Sequence, residues 1–500
     1  MPQFVYFLIV STAAAAAWCV GDAVRRRTIN GKRVPLGATS AVLAVAALGA
    51  FLRYDVATPH LAMYIDEPWY AEAACNLARN GRLEVCEEKW TGRSCSEFEK
   101  APGWPALLSL WIAVRGCAMS AGIEVSQVLG TATPIVVAIA AALAGADRWT
   151  AALAAFTVAI HPVHVKWSAT GETNVAAAFV LLVALCGALL YIRHGARSGA
   201  SLATAAFALA TSIRPESLVA ALVAATISFI AHRRDGWRGV AAPGAIAIMS
   251  AIAAAGTSRL WTMNEEISGG SFFAAGNIVA NATALDATVH GVAALFAVAG
   301  AAAMLRAGRR TGAAMLFGVA VAAASAALSY DRFTERMLLA AIVSAAPLTA
   351  FAFALCPPLP RCFAAALLAA LWWHETPAGL EPSATQQLET RIVRAIARQP
   401  FPDGALFITA QPTILAATGS ARVMSTSEAL GKPGELANLV RGGAVVFYLH
   451  DMFCDELFAG GASAPLCRRM SEEFVLTPAI EESFPPHGYI LYAVASGEGR

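Results

Sequence analysis

The sequence has little charge for its length. Of 500 residues only 14% are Asp, Glu, Lys or Arg, while 57% are hydrophobic and the mean hydropathy is +0.58. A soluble globular protein has about a quarter of its residues charged, so a soluble enzyme is excluded. An excess of one charge is also missing, with 36 basic and 34 acidic residues, which argues against a general nucleic-acid-binding protein. The high hydrophobicity excludes intrinsic disorder.

The apolar residues form runs of about 15–22 residues, the length that crosses the hydrocarbon core of a bilayer as a helix. The sequence therefore predicts an α-helical polytopic membrane protein. The candidate spans are 3–20, 37–54, 104–120, 127–146, 149–162, 174–192, 200–213, 217–231, 240–257, 290–306, 311–329, 336–356 and 361–374.

Basic residues in the short loops predict the orientation. They cluster after the first span and around residues 193–197, 233–238 and 306–310. Because basic loops stay in the cytoplasm, the N-terminus and residues 55–103, 258–289, 330–335 and those after 375 are expected outside a plasma (inner) membrane. Residue 103 is expected outside and residue 193 inside, so an odd number of spans must lie between them, but the sequence offers four. We therefore expect 149–162 to be re-entrant or interfacial. We expect about 12 spans, the first a retained anchor rather than a cleaved signal.

Four cysteines lie in the parts expected outside. Cys86 and Cys95 are in the loop 55–103, and Cys454 and Cys467 are near the C-terminus. Their spacing is typical of small disulfide-closed loops in an oxidising compartment. Two pairs of free thiols are the alternative.

The last 125 residues differ from the rest. Gln386–Gln399 has an amphipathic helical pattern, and four short apolar runs bounded by Pro, Gly and Asp predict strands at 405–409, 444–449, 474–476 and 489–493. We therefore expect two domains: a membrane domain over 1–374, with 55–103 as its first outside loop, and a small soluble α/β domain over 375–500.

The loop 55–103 holds most of the polar residues that could carry chemistry, nine acidic and five basic. Asp66 and Glu67 follow a predicted span by about ten residues, near the membrane–water boundary, and precede a helical stretch, 71–79, that ends at Gly81. Carboxylates there stay ionised beside a low-dielectric surface that strengthens their interactions. The alternative is structural: the two acids cap and charge the first turn of the helix.

The loop resembles the first periplasmic loop of C-type (GT-C fold) glycosyltransferases, above all the lipid A aminoarabinose transferases and the protein O-mannosyltransferases. The resemblance is carried by Asp66-Glu67-Pro-Trp-Tyr-Ala-Glu72, by Gly81 and by Glu99-Lys100-Ala-Pro102 before a span. Arg214-Pro-Glu216 and Tyr330-Asp-Arg332-Phe333 agree with it. This chain departs from the family in having Lys-Ala-Pro for Lys-Pro-Pro and Arg-Phe for Arg-Tyr, which affects the expected details of donor contact.

The resemblance implies transfer of a sugar from a polyprenyl-phosphate donor to an acceptor on the outer face, with inversion. Asp66, with Glu67 beside it, would be the general base or would orient a divalent cation. Lys100 would bind the donor phosphate, and Arg214 and Arg332 are further candidates, with snorkelling to the interface as their alternative role. Membrane lipid and the lipid donor are the expected partners, and no cofactor is certain.

Residues 161–174 form a second polar cluster. Glu172 matches an acidic residue that completes the site in the family, as a metal ligand or acceptor contact. His161 and His164 are spaced i, i+3 and could join a carboxylate around a metal, but a proline lies between them and no further ligand motif follows. Interfacial anchoring by Lys166 and Trp167 is the alternative.

Two other classes of function compete with the transferase. A transporter or flippase would need ion-relay residues within spans or symmetric Gly/Pro-broken helices in two halves, and the polar residues lie instead in the outside loops. A non-enzymatic assembly protein with a partner-binding tail would tolerate replacement of Asp66, Lys100 and Glu172 one at a time.

Overall fold

The computed structural model describes residues 2–30, 36–61, 66–256, 274–285, 290–330, 334–355, 357–374, 384–410, 412–416, 422–451, 454, 463–484 and 487–496. By their internal contacts the residues form two compact units. The first comprises 1–58, 99–107 and 124–381, and the second comprises 59–98, 108–123 and 382–500.

The helices in chain order are α1 (Pro2–Asn30), α2 (Leu36–Phe51), α3 (Asp66–Asn80), α4 (Gly103–Arg115), α5 (Ala121–Leu143), α6 (Arg148–Ala159), α7 (Pro162–Ser168), α8 (Thr173–His194), α9 (Arg197–Ile213), α10 (Ser217–His232), α11 (Trp237–Ala255), α12 (Ala275–Thr283), α13 (Val292–Arg306), α14 (Arg310–Leu328), α15 (Leu339–Phe353), α16 (Pro358–His374), α17 (Ala384–Arg398), α18 (Thr413–Ala416), α19 (Thr426–Gly431), α20 (Pro433–Arg441) and α21 (Ala464–Glu473). A π-helical turn (Leu52–Val56) follows α2, and a 3₁₀ turn (Glu335–Leu338) precedes α15. The strands are β1 (Glu84–Lys89), β2 (Gly92–Glu97), β3 (Leu406–Thr409), β4 (Arg422–Ser425), β5 (Val446–His450), β6 (Phe474–Phe484) and β7 (His487–Ser496).

The first unit is helical, and the protein is an integral membrane protein. Among the described residues five helices are long and apolar enough to cross a bilayer: Pro2–Asp22, Ala121–Leu143, Thr173–His194, Arg310–Leu328 and Glu335–Phe353. Three shorter apolar helices accompany them: Ser217–His232, Gly239–Ala255 and Val292–Arg306. The expected count of about 12 spans and the orientation stay predictions.

The segment expected to be re-entrant or interfacial forms the short helix α6. Asp147 caps its N-terminus, accepting from the backbone N–H groups of Trp149 and Thr150. At 12 residues, α6 is about 18 Å long, well short of a hydrocarbon core about 30 Å thick. Its length alone therefore does not let it cross.

Small residues let helices of this unit approach closely. A Cβ on Gly187 of α8 would lie 2.6 Å from the Ala203 nitrogen and 2.8 Å from the Gly199 carbonyl oxygen, both on α9. A Cβ on Gly300 of α13 would overlap the Leu348 carbonyl oxygen of α15. Close backbone approach at small residues is how membrane helices gain packing contacts where hydrophobic burial gives no net drive.

The second unit is built on a seven-stranded sheet in the order β2-β1-β4-β3-β5-β7-β6. Strands β4, β3 and β5 run parallel, and β5, β7 and β6 are antiparallel neighbours. Because successive side chains of a strand point to opposite faces, Leu406 and Ile408 enter one core and Phe407 the other. Helix α17 covers the Phe407 face with Ile392 and Ile396, so the α/β architecture expected for the tail is present.

The sheet recruits part of the chain that the sequence assigned elsewhere. Strands β1 and β2 come from the first outside loop, and β1 pairs with β4 through Glu88 and Met424. Residues 59–98 thus belong to the compact unit that contains 382–500, whereas the domain boundary expected at 374/375 stays a prediction. Both cysteine pairs expected to form disulfides are joined, Cys86–Cys95 and Cys454–Cys467.

Candidate active site

The acidic pair opens helix α3 of the second unit. Asp66 is its first residue and is half-buried, and Glu67, in the same turn, is buried. Both acids therefore lie where the helix dipole favours negative charge, which is the structural role expected as the alternative. Their catalytic role stays a prediction.

Polar contacts fix α3 on the β1–β2 hairpin. The Cys86 N–H donates to Glu72 Oε1 at 2.6 Å, and the Asn76 amide donates to the Glu84 carbonyl at 2.9 Å. Cys86 is also held to Cys95 across the hairpin. The helix that begins with the acidic pair is thus attached to a covalently closed hairpin.

Glu72 is an unusual carboxyl group in this arrangement. It is buried, and its Oε2 has no hydrogen-bond partner among the described residues. Burial raises the pKa of Glu72 to about 7, against weaker lowering by the Cys86 N–H and by Arg93. The group therefore changes protonation near neutral pH.

In the first unit, Glu172 forms a buried ion pair. Arg336 Nη1 lies 2.9 Å from Glu172 Oε1, both side chains are less than 10% exposed, and the guanidinium lies 5.4 Å from the Trp167 ring. A cation already occupies one oxygen of this carboxylate, which makes a divalent metal a poor fit at Glu172. Sequence reasoning missed Arg336, although an ionisable residue at the start of a predicted span is a signal for function.

Arg214 lies at the break between α9 and α10. Its Nη1 donates to Asn174 Oδ1 at 2.6 Å, its Nε pairs with Glu216, and its guanidinium lies 5.9 Å from the Tyr330 ring. The irregular Arg-Pro-Glu backbone between two apolar helices thus holds a polar network, as such breaks require in a membrane protein.

Both arginines border one small cavity of about 20 Å³, which also has apolar side chains in its lining. The polar residues that line it are Asn174, Arg214, Glu216, Ser217 and Arg336. Asn174 Nδ2, Glu216 Oε2 and Arg336 Nε are buried there without hydrogen-bond partners among the described residues. A buried polar group without a partner is costly, so the cavity favours a small polar ligand or water. We call these residues the arginine cluster.

The segment that follows Lys100 is anchored beside this cluster. A Cβ on Gly103 would lie 2.6 Å from Ser212 and from the Ile213 nitrogen, directly before Arg214. The fully buried Trp104 donates its indole N–H at 3.0 Å to the carbonyl of Gly171, the residue before Glu172. The structure therefore ties the segments of Lys100, Glu172 and Arg214 together within one unit.

His164 makes a contact that sequence reasoning did not foresee. The fully buried Arg53 contacts His164 Nδ1 at 2.6 Å through Nη2 and donates to the carbonyls of Gly49 and Ala159 through Nη1. Nδ1 must accept this bond, since a guanidinium only donates. The role of His164 in acceptor or metal binding stays a prediction. The signal for Arg53 was an arginine at the end of an apolar run.

The remaining candidates are Arg332, a metal-ligating cluster, and Lys166 with Trp167. Arg332 lies outside the described residues. Within the described part of the chain, the one cluster of metal-ligating side chains comprises Glu84, Cys86 and Cys95, and its two cysteines form a disulfide. Lys166 pairs at 3.6 Å with Glu335 and lies 5.8 Å from the Trp167 ring.

Solved structures share this architecture. ArnT from Cupriavidus metallidurans bound to undecaprenyl phosphate superimposes with a TM-score of 0.59 at 15% identity, over 92% of this chain and 98% of that one. The protein has the fold of C-type glycosyltransferases. The GT-C resemblance found in the first outside loop is thereby confirmed at the level of the fold.

Two other GT-C structures agree. The Archaeoglobus fulgidus oligosaccharyltransferase AglB, in complex with an inhibitory peptide and a dolichol-phosphate, has a TM-score of 0.50 at 12% identity, over 93% of this chain and 74% of that one. The mycobacterial arabinofuranosyltransferase AftD has a TM-score of 0.51 at 16% identity, over 92% of this chain and 40% of that one. No family model and no curated protein sequence matches the chain.

Proposed function

We propose that this GT-C protein is a membrane glycosyltransferase that moves a sugar from a polyprenyl-phosphate donor to an acceptor on the extracytoplasmic face, with inversion. The observation that carries the proposal is the arginine cluster, in which two guanidinium groups, each paired with a glutamate, border a cavity in the unit that also contains the Lys100 segment. It lies in a fold that ArnT and AglB share, and those structures hold undecaprenyl phosphate and dolichol-phosphate. Both ligands combine an apolar chain with a phosphate.

The proposed reaction is a single displacement. The acceptor hydroxyl attacks the anomeric carbon, the bond from that carbon to the phosphate oxygen breaks, and the polyprenyl phosphate leaves with the electron pair. Asp66 takes the hydroxyl proton, a contribution of about 10²–10⁴-fold for positioned base catalysis. One displacement at the anomeric carbon inverts its configuration.

Cations stabilise the leaving phosphate, which is often the largest single contribution to such a reaction. Lys100 acts as a point charge. Arg214 and Arg336 present planar groups that suit phosphate oxygens, and Arg336 Nε and Asn174 Nδ2 are donors that a phosphate would satisfy. Glu216 and Glu172 keep the two guanidinium groups oriented.

The test is sugar transfer in membranes that contain Asp66→Asn or Lys100→Ala and are supplied with radiolabelled polyprenyl-phosphate sugar. We expect each variant to lose at least about 100-fold in rate. Asp403→Asn and Lys432→Ala are matched controls, because both side chains are exposed, and both should keep full rates. Full activity in Asp66→Asn and Lys100→Ala would defeat the site assignment. Uptake of the substrate in proportion to expression would favour the transporter.

A further inference from the structure

The first unit contains a second, much larger cavity that the proposed reaction does not use. It has a volume of about 310 Å³, lies among α13, α14 and α15, and has a lining of mostly Ala, Val, Leu and Phe side chains. We call it the apolar cavity. Its size is at the lower end of ligand-binding cavities.

The mouth of the apolar cavity opens on the surface of the helices. Val298, Phe317 and Val321 line it and are 55%, 37% and 46% exposed, respectively. Phe317 and Val321 lie on α14, one of the helices long enough to cross a bilayer. Exposed apolar side chains on such a helix face hydrocarbon, so a ligand reaches the cavity sideways from the membrane.

The deep end of the apolar cavity is polar. His161 and Trp372 line it, each is 2% exposed, and their rings lie 4.7 Å apart. Both ring nitrogens of His161 and the indole nitrogen of Trp372 lack hydrogen-bond partners among the described residues. Leaving buried donors and acceptors unpaired costs more than a typical hydrogen bond contributes. The deep end is therefore complementary to a ligand with hydrogen-bonding groups.

We infer that the apolar cavity binds an acyl lipid, its chain among the alanine-rich helices and its ester or amide carbonyl accepting from the Trp372 indole and the His161 N–H. The second His161 nitrogen suits an amide N–H or a hydroxyl group. A polyprenyl phosphate would instead bring a charged phosphate to this cavity, and the described residues that line it include no Lys or Arg. The site is thus distinct from that of the polyprenyl donor.

The test is photo-crosslinking of the full chain in lipid nanodiscs, with labelled peptides identified by mass spectrometry. One probe is phosphatidylethanolamine with a diazirine in its acyl chain, and the other is a polyprenyl phosphate with the same group. We expect the acyl probe to label α13–α15. His161→Phe and Trp372→Phe should each lower this labelling about two- to tenfold, the effect of one lost hydrogen bond.

Matched controls separate this effect from general damage. His232→Phe and Trp149→Phe change the same residue types outside the cavity and should leave labelling unchanged. If His161→Phe does not fold, Ala324→Leu narrows the cavity with both polar side chains intact and should block the acyl probe. Equal labelling in His161→Phe and Trp372→Phe, no labelling of α13–α15, or preferential labelling there by the polyprenyl probe would overturn the inference. Crosslinking does not depend on sugar transfer. The acyl probe can therefore fail to label the cavity in a protein that transfers sugar, and it can label the cavity in a protein that does not.

Discussion

Glu72 shows how the burial of one carboxyl group makes the stability of the fold depend on pH. It accepts from Cys86 through one oxygen, while the other is buried without a partner among the described residues. Burial raises the pKa of Glu72 from 4.5 to about 7, so the folded chain favours the protonated form. The contribution to stability is full below about pH 4.5 and falls as the pH rises towards 7.

Glu72→Gln should reverse this loss. The glutamine oxygen can still accept from Cys86, and no charge has to be buried. We expect the variant to be more stable than the parent above pH 7 by roughly 2–4 kcal/mol, and equal to it near pH 4. Thermal unfolding in detergent at both pH values measures this, with the exposed Glu435→Gln as control. The same stability difference at both pH values would show that folding does not raise the pKa of Glu72.

Largely buried arginines are the notable residues of the first unit. Arg336 and Arg53 are buried, Arg214 is partly buried, and all three have acceptors assembled around them. A charged side chain inside a membrane protein would be very costly if it had neither a counter-ion nor hydrogen-bond acceptors. The arginines and the neighbouring Glu216 were visible in the sequence, but the other acceptors were not, because Glu172, Asn174 and Ala159 lie far from their arginines in the chain.

At the scale of elements, the helices of the first unit depend on glycines. Gly187 of α8 lies against the α9 backbone at Gly199 and Ala203, where even a methyl group has no room. The hydropathy of α8 predicted a span but not this contact. In contrast, a Cβ on Gly244 of α11 meets nothing within 4 Å.

This contrast gives a matched pair of substitutions. Gly187→Ala should destabilise the protein by about 1–3 kcal/mol, since the two helices must separate to admit the methyl group. Gly244→Ala should be neutral or stabilise by up to about 1 kcal/mol, because alanine is the better helix former. Thermal unfolding of both variants in the same detergent is the measurement. A Gly187→Ala protein as stable as Gly244→Ala would mean that α8 and α9 are less closely packed.

At the scale of the whole molecule, the second unit links two distant segments of the chain, and this link constrains their orientation relative to the membrane. The first unit is an integral membrane protein of GT-C fold, and the second unit joins the first outside loop to the C-terminal residues in one sheet. Since β1 and β4 are paired, the loop and the tail must share one side of the membrane. The two disulfides favour an oxidising compartment.

Cysteine labelling in intact cells tests this orientation. Lys432, about half exposed in the second unit, and Arg234, exposed in the basic loop after α10, are each replaced by cysteine. A membrane-impermeant maleimide should label Lys432→Cys at once and Arg234→Cys only after permeabilisation, with the unsubstituted protein as the background control. The opposite pattern would place Asp66 in the cytoplasm and defeat the proposed reaction.

The sequence by itself determined the membrane class and indicated the α/β tail, the two candidate cysteine pairs and a helix over 71–79, which in the structure already begins at Asp66. Each follows from hydropathy, from periodicity or from close spacing along the chain. The tertiary structure decided that Arg336 pairs with Glu172, that Arg53 contacts His164, that β1 joins β4, and that an apolar cavity ends at His161 and Trp372. These arrangements bring together residues far apart in sequence, and the pairing of such residues depends on how helices and strands pack, which no local pattern specifies.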